Sequence, residues 1–476
     1  MTADLYPLVI GGQLQNGRGE DLTHVRHRYD GRLLATVRGA DRQQVEEAVA
    51  AAVTAGRSLS RASAGQRAAW LHRLGDLLGE HRSELIQALI GGAGKPLDYA
   101  GVEWQRCVDT LRMTAAEILR FGGEYVPVDY GPGEVRQGLA LRVPVGPVLG
   151  IVPYNFPINL AMHKLAPALA TGCPVILKPS PLAPLPTLML ARLACEAGFP
   201  PGSVSALLAE NDLLADLADD PRLPMLSFTG SPAVGWNLRQ LWWRKKTTLE
   251  LGGNAAVLID RHTSPESIAG ILAGGACLYA GQICISTQRI YLVDDDPAPW
   301  FGALTRAFQA VQSGDPARAG VVNGPLISAE QLQRVAAMVG AATEAGARVL
   351  AGAEVLSEEQ RIYAPTLLTG TERSMDVVQE EVFGPVAVVE SVPDFSTGLA
   401  MINDSCYGLQ AGVFTRDLER MKEAHATLEV GAVIMNQVPG FRVDSMPYGG
   451  VKQSGSGREG VRYAMEDMTE PRLLVY

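Results

Sequence analysis

Cys284 stands in the stretch Gly281-Gln282-Ile283-Cys284-Ile285-Ser286, between small and polar residues at the end of an apolar run of helical spacing. The thiolate is the reactive form of cysteine, and a sulfur held at a helix end and wetted by a cleft can carry covalent catalysis. A cysteine there can equally be a buried core thiol, because free cysteine packs as a small hydrophobe. Its company elsewhere in the chain separates the two readings. The turn Phe228-Thr229-Gly230-Ser231-Pro232 joins an apolar strand to a helical segment and could turn a helix amino end toward a phosphate. It lacks the G-x-G-x-x-G spacing, so a plain tight turn explains it as well. Trp242-Trp243-Arg244-Lys245-Lys246 reads as a helix end with its cations near the last carbonyls.

The elements that must position these residues are legible from period and punctuation. Asp41 caps a helical run to about Leu59, and helical segments follow over residues 64–90 and 98–121, separated at Gly91-Gly92-Ala93-Gly94-Lys95-Pro96. Residues 124–143 alternate in period two around Gly131-Pro132-Gly133, which predicts a hairpin arm. Such an arm cannot bury its own apolar face, and it points to a homo-oligomer. Apolar strands over 148–152, 175–178, 204–208 and 225–228 alternate with helical segments starting near Ile158, Leu185, Asn211 and Pro232. That alternation predicts a parallel sheet covered on both faces, with binding sites beyond its carboxyl ends. A second α/β series starts at strand 256–260, runs through a helix over 265–282, and has later strands near 289–293, 386–389, 410–414 and 432–435. The terminal residues 473–476 read as a strand that could pair with the arm.

At 476 residues with 47% hydrophobic content, the chain has material for two or three domains. A net charge of −10 argues against nucleic acid or an anionic membrane as partner, since either needs a basic face. The six cysteines form no C-x-x-C pair and no zinc spacing, so no metal site is expected. They read as reduced thiols of a cytoplasmic protein. The first ten residues carry no signal-peptide pattern, and no apolar run reaches the ~20 residues of a membrane span.

Four pieces in order, Pro153-Tyr154-Asn155-Phe156-Pro157, Glu250-Leu251-Gly252-Gly253, Gly281-Gln282-Ile283-Cys284 and Glu381-Val382-Phe383-Gly384-Pro385, resemble the aldehyde dehydrogenase superfamily. Lys178-Pro179-Ser180, Ser227-Phe228-Thr229-Gly230-Ser231 and Pro447-Tyr448-Gly449-Gly450-Val451-Lys452 extend the likeness over essentially the whole chain. The resemblance implies an α/β fold of two doubly wound parallel-sheet domains, Rossmann-like and catalytic, plus a β-hairpin oligomerisation arm. Its boundaries would be 1–122 with 143–251 for the NAD(P)-binding domain, 252–445 for the catalytic domain, and 123–142 with 459–476 for the arm. A homodimer or homotetramer is expected.

The same resemblance assigns roles. Cys284 would attack the aldehyde carbon, Asn155 and the Cys284 backbone N–H would hold the resulting oxyanion, and Glu250 would activate water to release the acid from a thioester. For NAD or NADP, Lys178 and Ser180 would lie at the adenosine ribose, Gly230 and Ser231 at the pyrophosphate, and Glu381 at the nicotinamide ribose, with Pro153 and Phe383 packing nearby. Three residues after Lys178, where many NAD-preferring relatives carry a glutamate, this chain has Pro181, so NADP is allowed. The chain looks like the branch acting on lactaldehyde, glyceraldehyde derivatives or phosphonoacetaldehyde, hence on a small polar or anionic aldehyde. Arg289 and Arg442, beside Phe441, are the candidate cations for an anionic tail, with arginines that only tie domains together as the competing reading. His163 is expected to pack under the site. A coenzyme A-acylating enzyme and a catalytically silent binding protein are the alternative readings, and Glu250 favours release of a free acid.

Overall fold

In the computed structural model, which describes residues 5–131, 133, 135–261 and 263–476, two large sheets face one another across a cleft. Pro132 of the expected arm turn and the first four residues lie outside the described residues. The first sheet has the order Gln13–Gln15, Leu8–Ile10, Val204–Ala206, Val175–Pro179, Val148–Val152, Met225–Thr229, Lys246–Glu250, Gly455–Ser456. Its five central strands are parallel and its edges antiparallel. The strand order reverses between Val148–Val152 and Met225–Thr229, and open α/β sheets bind ligands at that reversal.

The second sheet runs Arg348–Ala351, Thr366–Thr369, Val386–Val392, Arg289–Val293, Ala256–Ile259, Gln410–Phe414, Ala432–Met435, and only its first strand is antiparallel. Strand residues alternate between two cores. Val257, Ile259, Ile290 and Leu292 pack with the helices Pro265–Cys277 and Ala298–Gln309. Ala256, Leu258, Tyr291 and Val293 pack with Phe395, Leu399 and Ala424 on the other face. A strand buried on both faces reads as a continuous apolar run, which is why these segments stand out in the sequence.

Asp41 caps the helix Arg42–Leu59 through a capping box with Gln44. Two helical expectations differ. The run over 64–90 is two helices, Ala64–Glu80 and Arg82–Ala93, broken at His81 with φ −100° and ψ 18°. The Leu/Ile repeat continues across that break, so periodicity alone hides it. The helix expected over 265–282 ends at Cys277, because Tyr279 and Ala280 take φ of 51° and 54° in a following 3-10 turn. Cys284 therefore lies on a loop after the turn. Lys245 sends its cation to the Leu217 and Asp220 carbonyls of a neighbouring segment rather than to its own helix end.

The arm strands Glu124–Pro127 and Gln137–Pro144 pair antiparallel, and Thr469–Val475 adds the third strand, as the terminal sequence suggests. The helix Val461–Asp467 buries Val461 and Met465 in the core of the first sheet. No helix among the described residues is long and apolar enough to cross a membrane.

Candidate active site

Asn155, Gly230 with Ser231, and Glu250 follow or end adjacent parallel strands of the first sheet, while Cys284 and Glu381 precede strands of the second. The carboxyl ends of one sheet thus meet the amino ends of the other around a cleft of about 1080 Å³. Cys284, Asn155, Glu250, Pro153, Lys178, Ser180, Gly230, Ser231, Glu381, Phe383, Phe441 and Arg442 all line it. Arg289 does not. Its guanidinium is buried and donates to the carbonyls of Asn254, Met401 and Ile402, so it ties the segment after Glu250 to the helix Phe395–Asn403, away from the cleft lining.

The loops bearing the sulfur and the amide are joined directly, since the Asn155 Nδ2 donates to the Gln282 carbonyl at 2.9 Å. The Cys284 Sγ lies 3.1 Å from the Tyr448 hydroxyl. Burial pushes the thiol up to about 12, and the Tyr448 contact acts in the opposite direction. The Glu250 carboxyl is buried with neither oxygen hydrogen-bonded, and burial, then the nearby Glu459 charge, raise it well above the carboxylate range. Glu381 accepts from the Gly253 N–H at 2.8 Å, yet burial lifts it to about 7. The glycines after Glu250 are there for clearance: a Cβ on Gly253 would stand 2.1 Å from the Cys284 carbonyl oxygen.

Several supporting groups were invisible in the sequence. Lys95 is fully buried, its ammonium 2.5 Å from Glu103, 3.5 Å above the Phe156 ring centroid and 4.8 Å from that of Tyr279. One cation therefore grips the residue after Asn155 and the strained turn before Cys284, and Tyr279 further anchors that turn by donating to the Ala93 carbonyl at 2.5 Å. Glu103 also accepts from the Ile158 and Asn159 N–H groups, capping the buried helix Asn159–Thr171. Burial pulls Lys95 down to about 8.

On that helix, Lys164 donates to Ser227, Thr229 and Glu459, and His163 meets Asp444 at 2.9 Å. Burial opposes the charge on Glu459, but the cations of Lys164 and Arg442 outweigh it and hold the carboxyl at about 2. The His163 Nε2 also lies 3.1 Å from Arg442, and one nitrogen cannot serve both. With burial keeping the ring neutral, a proton on Nε2 directed to Asp444 satisfies the buried carboxylate. Arg442 then rests on Glu459 at 3.2 Å and on the Tyr448 ring, while its buried Nε has no partner. Arg106, absent from the sequence candidates, also lines the cleft and grips Asp444 through two nitrogens.

A dinucleotide fits the far part of the cleft. Ser231 caps the helix Pro232–Leu241 without spending its hydroxyl on the cap, so the amino end is open to an anion. Lys178 supplies a cation on the wall, hydrogen-bonded only to Asn211 at 3.3 Å among the described residues. The backbone is pared down there, since a Cβ on Gly252 would meet the Glu381 Oε2 at 2.6 Å. Among the described residues no cluster of three or more His, Cys, Asp or Glu side chains is placed to hold a metal ion.

An α/β molecule with a thiol, an amide and a carboxylate at the strand-order reversal, beside an open helix amino end, is built as an NAD(P)-linked aldehyde-oxidising enzyme. Residues 15–474 match the aldehyde dehydrogenase family, and the chain belongs to it. It is 36% identical over 472 residues to a 3-sulfolactaldehyde dehydrogenase of Priestia aryabhattai, covering 99% of this chain and 98% of that one. The crystal structure of aldehyde dehydrogenase 21 from Physcomitrella patens, in complex with the reaction product succinate, matches with a TM-score of 0.96 at 33% identity, covering 100% of this chain and 99% of that one. An NADP-dependent glyceraldehyde-3-phosphate dehydrogenase from Bacillus halodurans, complexed with NADP, matches with a TM-score of 0.95 at 28% identity over 99% of each chain.

Proposed function

We propose that the chain oxidises a small aldehyde with an acidic tail to the carboxylic acid, using NAD or NADP. The observation that carries this reading is that Cys284, Asn155 and Glu250 share one cleft with the cations of Arg106 and Arg442. The Cys284 sulfur attacks the aldehyde carbon, and the oxygen that gains charge is received by the Asn155 amide and the Cys284 N–H. Loss of one such donor costs ~3 kcal/mol, about a hundredfold in rate. Lys178, Ser180, the amino end after Ser231 and Glu381 would hold the dinucleotide, which when bound would supply the hydride acceptor, while Cys284 keeps the acyl group as a thioester. Glu250, with both oxygens unengaged and burial lifting its affinity for a proton, takes a proton from water as it attacks the thioester.

The acidic tail is supported by Arg442 and Arg106, whose guanidinium groups are the cations of that part of the lining and are held there by Glu459 and Asp444. A sulfonate and a carboxylate are the tails of the compounds named for the Priestia and Physcomitrella proteins. Lys178 with no acidic residue at Pro181 supports acceptance of a 2′-phosphate. Exposed Leu473, Leu474 and Tyr476 on the arm support pairing of two or more copies, which sedimentation would test.

The test is a nicotinamide-reduction assay with short aldehydes, with and without acidic tails, and with each coenzyme. Turnover by wild type, its loss in Cys284→Ala with retained coenzyme binding, and a free acid formed without coenzyme A are expected. Full turnover by Cys284→Ala, or a strict need for coenzyme A, would overturn the proposal.

A further inference from the structure

Tyr448 is the one side chain that touches the Cys284 sulfur by hydrogen bond, at 3.1 Å, among the described residues. It is held firmly for that purpose. Its backbone forms a two-way bridge with Glu459, N–H to carbonyl at 2.9 and 2.6 Å, and its ring is 3% exposed and packs with Ile285 and Leu409. The Arg442 guanidinium lies over the ring, 3.6 Å from its centroid. The next residue, Gly449, borders Glu250: a Cβ there would stand 2.9 Å from its Oε1.

We propose that Tyr448 is a catalytic residue, its phenol O–H donating to the Cys284 thiolate, with Arg442 stacked on the ring to strengthen that donation. This rests on Cys284 being the nucleophile. The bond discriminates between protonation states. With a thiol, either atom can donate, and the contact joins two neutral groups. Once the sulfur is ionised only the phenol can donate, and a charge-assisted bond is about twice as strong as a neutral one. The gain therefore falls on the reactive form. A cation on the ring face draws electron density from the phenol and makes its O–H a better donor. Burial keeps the phenol protonated far above the thiol range of ordinary cysteines, so it remains a donor throughout. The other groups facing the sulfur are Arg442, which also favours the thiolate, and the Glu381 and Glu250 carboxyls, which oppose it when ionised.

The test is alkylation of Cys284 by iodoacetamide across pH, followed by peptide mapping, in wild type and Tyr448→Phe. In this reaction the thiolate forms a C–S bond to the CH2 carbon as the C–I bond breaks and iodide leaves, the thiol proton having passed to solvent. Tyr448→Phe keeps the ring under Arg442 and removes only the hydroxyl. The midpoint of the rate profile is expected to rise by about one unit, so that below it the variant reacts about tenfold more slowly, equivalent to about 1.4 kcal/mol. Replacing Tyr448 with 3-fluorotyrosine, whose phenol is more acidic, is expected to move the midpoint the other way. An unchanged profile in Tyr448→Phe, or a faster one, overturns the proposal. If the phenylalanine variant does not fold, a fluorotyrosine profile equal to wild type does so. Oxidation retained by Cys284→Ala would instead sink the nucleophile reading, while the alkylation profile would still report the Tyr448 contact.

Discussion

Replacement of Lys95 by methionine separates the fold from the site. The ammonium sits 2.5 Å from Glu103 and faces the Phe156 and Tyr279 rings; Lys95, Glu103 and Tyr279 are buried and Phe156 is half-buried at the cleft. Removing one partner of a buried pair leaves the other charge uncompensated, typically costing 3–5 kcal/mol. Glu103 keeps the Ile158 and Asn159 N–H groups as donors, so about 3 kcal/mol is expected, read as a lower denaturant midpoint. The rings lose their common cation as well. Phe156 adjoins Asn155, and Tyr279 leads into the Cys284 loop, so the amide and the sulfur can drift apart. A misplacement of ~1 Å in a reacting constellation costs about a hundredfold in rate. Lys95→Met should therefore lower kcat about a hundredfold with little change in KM. Adding Glu103→Gln removes the stranded charge and should restore the denaturant midpoint without restoring kcat. Wild-type kcat in Lys95→Met, or recovery of kcat together with stability in the double variant, would refute the clamp.

Other outcomes follow from the same geometry. Gly253→Ala should abolish turnover, because its methyl would meet the Cys284 carbonyl oxygen at 2.1 Å; coenzyme binding by fluorescence would show whether the groove survives. Glu381 is raised from 4.5 to about 7 by burial, so the native state binds the extra proton between those values and stability falls as pH rises through them. Glu381→Gln should be more stable than wild type by about 3 kcal/mol above pH 7, with the difference vanishing below pH 4.5, in denaturant titrations without coenzyme. Arg106→Ala should raise KM for acidic aldehydes at least tenfold and leave uncharged aldehydes nearly unaffected, as steady-state kinetics would show.

Strand positions were legible because a sheet buried on both faces needs unbroken apolar runs, and Asp41 was legible because a cap is a local signal. Cys284, Asn155, Glu250 and Glu381 could be chosen because short motifs fix them in order along the chain. Lys95, Glu103, Arg106 and Tyr448 escaped because their meaning lies in contacts that no local motif encodes: Glu103 meets Ile158 from 55 residues away, Tyr448 meets Cys284 from 164 and Arg106 meets Asp444 from 338. Arg289 misled for the complementary reason. Arginine suits an anionic substrate and three backbone carbonyls equally well, and only the fold tells which it meets. The same holds for the turn at Tyr279 and Ala280, where tertiary anchors override the helical run that the sequence suggests.

The convergence of sulfur, amide and carboxylate can be caught chemically. Glu250→Ala, mixed with an accepted aldehyde and coenzyme, should stall after one turnover with the acyl group still attached. Intact-mass spectrometry should then show the enzyme heavier by that group, and peptide mapping should place it on Cys284. An unmodified enzyme that turns over freely, or an acyl group on any other residue, would contradict it.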